Sequence, residues 1–158
     1  MVLQSGEEVV LRVFRPSDLA QITELERKVY GSGAYSYYFF RQLHDLYPRL
    51  VWVAESGGQL VGHVCGAIDG TGSTGWILNL AVQAHSRGRG VGGRLVSSVI
   101  EEVRARGARV IRTTLHPDNS DAIRVFERAG FRAVRIEEDY YGDGIDRLIL
   151  QLTIEESD

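Results

Sequence analysis

The sequence predicts a mixed α/β fold, with about seven strands in one sheet and about four helices on the faces of that sheet. Seven short segments are rich in apolar and β-branched residues, which is typical of strands. Four other segments carry apolar residues three and four positions apart, which is typical of amphipathic helices. The two kinds of segment are interleaved along the chain, so helices are expected to pack against the sheet.

The first three predicted elements are one strand and two helices. Residues 8–14 form the strand. The first helix covers residues 19–29 and follows a Pro-Ser-Asp turn that can cap it. The second helix covers residues 36–47 and ends before Pro48, because proline disfavours helical geometry in the residue that precedes it.

Three strands are predicted next. Residues 50–55 and 60–68 alternate as the two arms of a hairpin, with the turn at residues 56–59. Residues 76–82 are almost continuously apolar. This pattern indicates a strand that is buried on both faces of the sheet.

The last predicted elements alternate between helix and strand before they close the sheet. A helix with one apolar stripe covers residues 90–106 and ends at a glycine. Residues 109–115 form a strand, and a short helix lies within residues 119–130. Residues 131–137 and 146–152 read as a final antiparallel pair.

Composition favours one globular domain that spans residues 1–158. The chain is 44% hydrophobic and 25% charged, so it can bury a core. No apolar run approaches the ~18 residues that a membrane span needs, and the first residues show no secretory signal, so no membrane association is expected. The single cysteine, Cys65, cannot form an internal disulfide, which favours a reduced, cytoplasmic setting. The net charge of −3 argues against nucleic acid as a partner.

A glycine-rich segment between the apolar strand and the following helix is the main lead to function. Residues 87–93 read Arg-Gly-Arg-Gly-Val-Gly-Gly. Glycine lets the backbone approach a ligand closely, and the free N–H groups of the first turn of a helix attract anions. The segment therefore predicts a diphosphate site, with a flexible surface loop as the alternative.

Two other phosphate-binding motifs fit this segment poorly. The chain has no Gly-x4-Gly-Lys-Ser/Thr, which excludes a P-loop nucleotidase. Gly88, Gly90 and Gly93 satisfy the spacing of the dinucleotide fingerprint. However, five residues separate them from the strand, and too little chain follows for a doubly wound domain.

Two motifs together resemble the GNAT-type N-acetyltransferases. Arg87-x-x-Gly90-x-Gly92 after a buried strand is similar to the acyl-CoA signature of that superfamily, and residues 114–131 resemble its strand, Asn turn and helix ending in Gly-Phe. Residues 139–148 are similar to the Tyr-Tyr segment of the ribosomal-protein alanine and peptide N-terminal acetyltransferases. The resemblance implies a mostly antiparallel sheet that splays between strands 76–82 and 109–115, with acetyl-CoA in the gap.

The resemblance also implies which residues bind acetyl-CoA. The backbone of the buried strand would pair with the pantetheine arm, and one of its N–H groups would polarise the thioester carbonyl. The loop N–H groups would hold the pyrophosphate, Asn119 would bond the pantetheine or phosphate region, and Phe126 would pack along the pantetheine. The expected cofactor-binding residues are Leu80, Ala81, Val82, Arg87, Gly88, Arg89, Gly90, Val91, Gly92, Asn119 and Phe126.

The usual acid and base of the family are missing at the matching positions. Thr114 stands where the alanine acetyltransferases carry the glutamate that acts as base. Phe126 stands where many members carry a tyrosine that donates a proton to the leaving thiolate. Tyr140 and Tyr141 are the candidate catalytic residues, although they could equally pack at the end of a strand. His116 is a weaker candidate.

The sequence therefore predicts an enzyme that transfers an acetyl group from acetyl-CoA to a primary amine. The acceptor is a peptide or protein N-terminus or a small-molecule amine, and the alternative is a non-catalytic acyl-CoA-sensing module. Neither the scattered histidines nor the buried thiol expected at Cys65 predicts a metal site. The dense aromatic run at residues 35–40 is expected to pack on the sheet and to wall the acceptor pocket or form a homodimer contact.

Overall fold

The computed structural model describes residues 8–154, and these form one mixed seven-stranded sheet with four α-helices. The elements are β1 (Val10–Val13), α1 (Leu19–Tyr30), α2 (Tyr37–Leu46), β2 (Val51–Ser56), β3 (Gln59–Ile68), β4 (Thr74–Val82), α3 (Val91–Ala105), β5 (Val110–Leu115), α4 (Ser120–Arg128), β6 (Arg132–Glu137) and β7 (Arg147–Thr153). The predicted order of strands and helices is confirmed. The boundaries lie within two residues of the prediction, and β1 is shorter at both ends than the predicted residues 8–14.

The sheet has the strand order β1-β2-β3-β4-β5-β7-β6. Every neighbouring pair is antiparallel except β4 and β5, which are parallel. The β4–β5 ladder has four residue pairs and ends at Ile77 and Thr113. Both strands continue beyond that pair without facing each other as partners. This confirms the predicted splay between them.

A β-bulge in β4 lies where the splay begins. Ile77 pairs with Gly66 of β3 and Asn79 pairs with Cys65, so Leu78 has no partner on β3. An extra residue of this kind bends a strand and increases its local twist. The bulge therefore turns the second half of β4 away from β5 and opens the sheet at this point.

Two apolar clusters fix the sheet between its helices. One cluster joins α3 and α4 to one face, and the other joins α1 and α2 to the opposite face. At Gly66 a Cβ atom would lie 2.7 Å from Val99 Cγ1, so glycine allows α3 to approach β3 closely. Among residues 8–154 no helix is both long and apolar enough to cross a membrane.

Candidate functional site

A cavity of about 510 Å³ lies where β4 and β5 diverge. Its walls come from both strands, from the C-terminal half of α1 and the α1–α2 connection, from the start of α4, and from the β6–β7 loop. The two strands pair as far as Ile77 and Thr113, and beyond these residues no hydrogen-bonded ladder joins them. The cavity is therefore a direct consequence of the splay.

The second half of β4 has a free backbone edge, which reaches the cavity wall at Leu80. The carbonyl oxygen of Leu80 accepts a hydrogen bond from the Tyr30 hydroxyl, and that of Val82 accepts one from Arg87 Nε at 3.0 Å. Both carbonyls thus point away from β3. Ala81, the residue between them, is buried and pairs with His63 of β3. This edge of β4 can accept and donate hydrogen bonds as a further strand would.

The glycine-rich segment has the backbone geometry that an anion site needs. A short 3₁₀ turn follows β4, and Gly88 and Gly90 have φ angles of +77° and +79°. Gly90 is the N-cap of α3, whose first residues, Val91 and Gly92, are buried. Arg89 lies between the two glycines. The first N–H groups of α3 have no partner within the helix, and together with the helix dipole they favour an anion.

Two residues of α4 and its preceding turn also lie on the cavity wall. Asn119 is the N-cap of α4, and its Oδ1 accepts a hydrogen bond from Ala122 N at 3.2 Å. Phe126 is 1% exposed, and its ring packs edge-on against Phe131 with 5.1 Å between centroids. The side chain is thus part of the core and of the cavity wall at once.

The β6–β7 loop holds Tyr140 and Tyr141 edge to face, with 4.7 Å between their ring centroids. Tyr141 lines the cavity and has the Arg147 guanidinium carbon 4.9 Å from its ring centre, whereas Tyr140 is not among the lining residues. Within residues 8–154, Asp139 is the one residue other than glycine that has a positive φ angle, +55°. Its carboxylate accepts from Gly144 N at 2.7 Å and so fixes the loop.

A buried polar cluster at the inner wall was not predicted from the sequence. Glu26 of α1 lines the cavity with no exposed surface. Asn79 Nδ2 donates to its two carboxylate oxygens at 3.1 and 3.0 Å, and the backbone N–H of Tyr35 donates to Oε2 at 2.9 Å. His63 Nε2 lies 3.3 Å from Oε1. The available signal was Glu26 itself, which lies four residues after Ile22 inside the apolar stripe of α1.

Burial changes the acidity of several phenols near the cavity. Loss of hydration raises the pKa of Tyr30 to about 12, and the charge of Glu26 adds to this effect. Burial likewise raises the pKa of Tyr35, and that of Tyr140 in the loop. A phenol with a raised pKa keeps its proton at neutral pH and acts as a hydrogen-bond donor.

The remaining residues that the sequence singled out lie either on the cavity wall or in the core. His116 lines the cavity, and its Nδ1 accepts a hydrogen bond from Asp118 N at 3.0 Å. Thr114 lines the cavity as well. Cys65 is fully buried, and burial raises the pKa of its thiol well above the ordinary value. Within residues 8–154 no three His, Cys, Asp or Glu side chains come together as a metal site.

Comparisons with known proteins agree with this geometry. Residues 19–131 match the acetyltransferase (GNAT) family. The chain is 27% identical to an N-alpha-acetyltransferase of Sulfurisphaera tokodaii, covering 93% of this chain and 94% of that protein. It is 30% identical to N-alpha-acetyltransferase 30 of Schizosaccharomyces pombe, covering 73% and 79%. A crystal structure of the NatC complex bound to Gag peptide and CoA contains a chain that superposes with a TM-score of 0.82 at 25% identity, covering 94% and 99%.

Proposed function

The chain belongs to the acetyltransferase (GNAT) family and is an acetyl-CoA-dependent N-acetyltransferase; we propose that its acceptor is the α-amine of a peptide or protein N-terminus. Acetyl transfer needs a neutral amine, a polarised thioester carbonyl and a thiolate that can leave. The observation that carries the proposal is the cavity between β4 and β5, whose wall includes the edge of β4, the start of α4 and the β6–β7 loop. The comparisons give no support to a non-catalytic acyl-CoA-sensing module.

For the cosubstrate, the proposal assigns the pantetheine arm to the free edge of β4 at Leu80, Ala81 and Val82. The carbonyls of Leu80 and Val82 already accept hydrogen bonds from groups outside the sheet, which supports this assignment. The pyrophosphate is assigned to the N–H groups of residues 87–92, from Arg87 through Gly88, Arg89, Gly90 and Val91 to Gly92. Asn119 and Phe126 would contact the arm from α4, since both line the cavity.

An open depression beside the loop adds positive charge near this site. It lies between α3 and α4, with a volume of about 590 Å³, and Arg94 and Arg128 are in its wall. Arginine guanidinium groups favour phosphate oxygens. This charge supports a phosphorylated cosubstrate at the start of α3.

For the acceptor, the proposal assigns the side of the cavity formed by the α1–α2 connection and the β6–β7 loop. Gly33, Tyr35 and Tyr141 lie on this wall, so both connections contribute to the same side of the cavity. Several relatives are named N-alpha-acetyltransferases, and one similar structure holds a peptide together with CoA. These likenesses favour a peptide over a small-molecule amine.

The acceptor class is tested by measuring CoA thiol release with three kinds of amine. One peptide has a free N-terminus, a matched peptide is blocked at its N-terminus but keeps an internal lysine, and small diamines form the third group. We expect kcat/KM for the free N-terminus to exceed the other values by about 100-fold, because the blocked peptide lacks the terminal α-amine and the diamines lack the peptide backbone that the site would bond. Preferred turnover of the blocked peptide or of the diamines would refute the peptide assignment.

We expect Tyr141→Phe to lower kcat/KM for the acceptor by about tenfold, because a hydroxyl on the cavity wall can bond the substrate and the loss of such a hydrogen bond costs about 1.4 kcal/mol. Tyr140→Phe is the matched control. Its hydroxyl belongs to the same loop but its side chain is not on the wall, so a change below about threefold is expected. Steady-state kinetics and CoA titration of both variants check this. Equal rates for Tyr141→Phe and the unmodified enzyme would remove Tyr141 from the reaction.

A further inference from the structure

Glu26 is a buried carboxylate that forms no salt bridge with an arginine or lysine among the described residues. Its side chain has no exposed surface, and within residues 8–154 no arginine or lysine lies within 4.0 Å of it. Burying a charge that is not paired by an opposite charge is costly, so a protein that keeps one commonly uses it. The N–H donors of Asn79 and Tyr35 hold both carboxylate oxygens in place, facing the cavity.

The other polar groups on the cavity wall are poor proton acceptors. Tyr30 and Tyr35 are phenols whose pKa values burial raises, and the Tyr30 hydroxyl is a donor to Leu80. His116 Nδ1 already accepts the backbone N–H of Asp118. Arg147 is a permanent cation. Among the described lining residues, Glu26 is the carboxylate that can take up a proton.

The groups around Glu26 leave it as the proton acceptor of this wall. His63 of β3 is fully buried, and its Nε2 lies 3.3 Å from the carboxylate. Neither ring nitrogen of His63 makes a hydrogen bond. The Cys65 thiol stays neutral because burial raises its pKa. Because Glu26 lines the cavity, a water molecule in the cavity can bridge its carboxylate and a bound amine.

We propose that Glu26 accepts the proton of the acceptor amine through a water molecule in the cavity. The neutral amine attacks the thioester carbonyl, the C–N bond forms and the C–S bond breaks. The nitrogen loses its extra proton to the water, and the water passes a proton to the Glu26 carboxylate. The sulfur takes a proton from solvent and leaves as CoA, and Glu26 returns its proton to solvent.

This role rests on the N-acetyltransferase activity and not on the identity of the acceptor, so any amine that the enzyme accepts can serve in the test. Glu26→Gln keeps the size of the side chain and an oxygen that can accept from Tyr35 N. We expect kcat to fall by about 100-fold, the usual contribution of a general base, with CoA affinity within threefold of the unmodified enzyme. We also expect log kcat at saturating acceptor to rise with pH without reaching a plateau, because hydroxide then replaces the base.

Two further variants complete the experiment. Glu26→Asp retains a carboxylate at a greater distance and should recover part of the rate together with the plateau. Glu24→Gln removes an exposed carboxylate from the same helix, which pairs with Arg27, and should leave both kcat and the pH profile unchanged. A Glu26→Gln enzyme with unchanged kcat overturns the proposal. So does a loss confined to the KM of the acceptor, or a failure of both Glu26 variants to fold, since each indicates a structural role.

Discussion

Gly90→Asp will weaken CoA binding by more than about 100-fold and leave the fold intact. Gly90 is the N-cap of α3 with φ +79°, and aspartate is among the residues that tolerate this backbone region. A Cβ atom there would meet nothing within 4 Å, so no steric clash is expected. The new carboxylate would cap the same N–H groups that are assigned to the pyrophosphate. It would also repel the diphosphate by about 4 kcal/mol at 4 Å and an effective dielectric constant of 20.

Calorimetric titration with CoA measures this effect, and two variants separate its causes. Gly90→Asn has nearly the same shape without the charge, so it should lose much less affinity. Gly58→Asp adds the same side chain at φ +78° in the turn between β2 and β3, where a Cβ also meets nothing within 4 Å. It should leave the affinity unchanged. A Gly90→Asp protein that binds CoA within threefold of the unmodified protein would contradict the assignment of the loop.

Phe126→Ala will lower the free energy of unfolding by about 3–5 kcal/mol. The ring is 1% exposed and packs against Phe131, so its removal deletes a large apolar contact and leaves a cavity between α4 and the sheet. Denaturant unfolding followed by circular dichroism measures the change. Val134→Ala in β6, where the side chain is 52% exposed, is the control and should change stability by less than about 0.5 kcal/mol. A loss below about 1 kcal/mol for Phe126→Ala would contradict this prediction. It would mean that neighbouring side chains move into the space that the ring occupied.

The predicted elements agree with the structure because apolar periodicity reports directly which face of an element is buried. The stripe of α3 follows this rule. The prediction that β4 is buried on both faces is wrong, because burial alternates along the strand and Leu78, which lines the cavity, is 38% exposed. Element ends depend on local backbone contacts that periodicity does not encode, and β1 is therefore shorter than its apolar pattern. The glycine-rich segment could also be recognised from local sequence. Gly88 and Gly90 have positive φ angles, and glycine adopts such angles without help from distant residues.

The inner wall of the cavity could not be predicted in the same way. Glu26, His63 and Asn79 lie on α1, β3 and β4, far apart in sequence, and none of them belongs to a local motif. They meet because α1 packs over β3 and β4 and because the bulge at Leu78 sets the register between those strands. Tyr140 and Tyr141 are adjacent in sequence, yet the conformation of the β6–β7 loop brings Tyr141 alone to the wall.

The sequence by itself determined the order of the elements, the glycine-rich loop at the start of α3 to which the pyrophosphate is assigned, and the family to which these motifs point. Each of these depends on residues within about one element of each other, where spacing and backbone preference act directly. The tertiary structure decided which tyrosine faces the cavity and which carboxylate lies at its inner wall. Those outcomes depend on packing between distant segments, and the buried charge of Glu26 is stable only where Asn79 and the backbone of Tyr35 supply its hydrogen bonds.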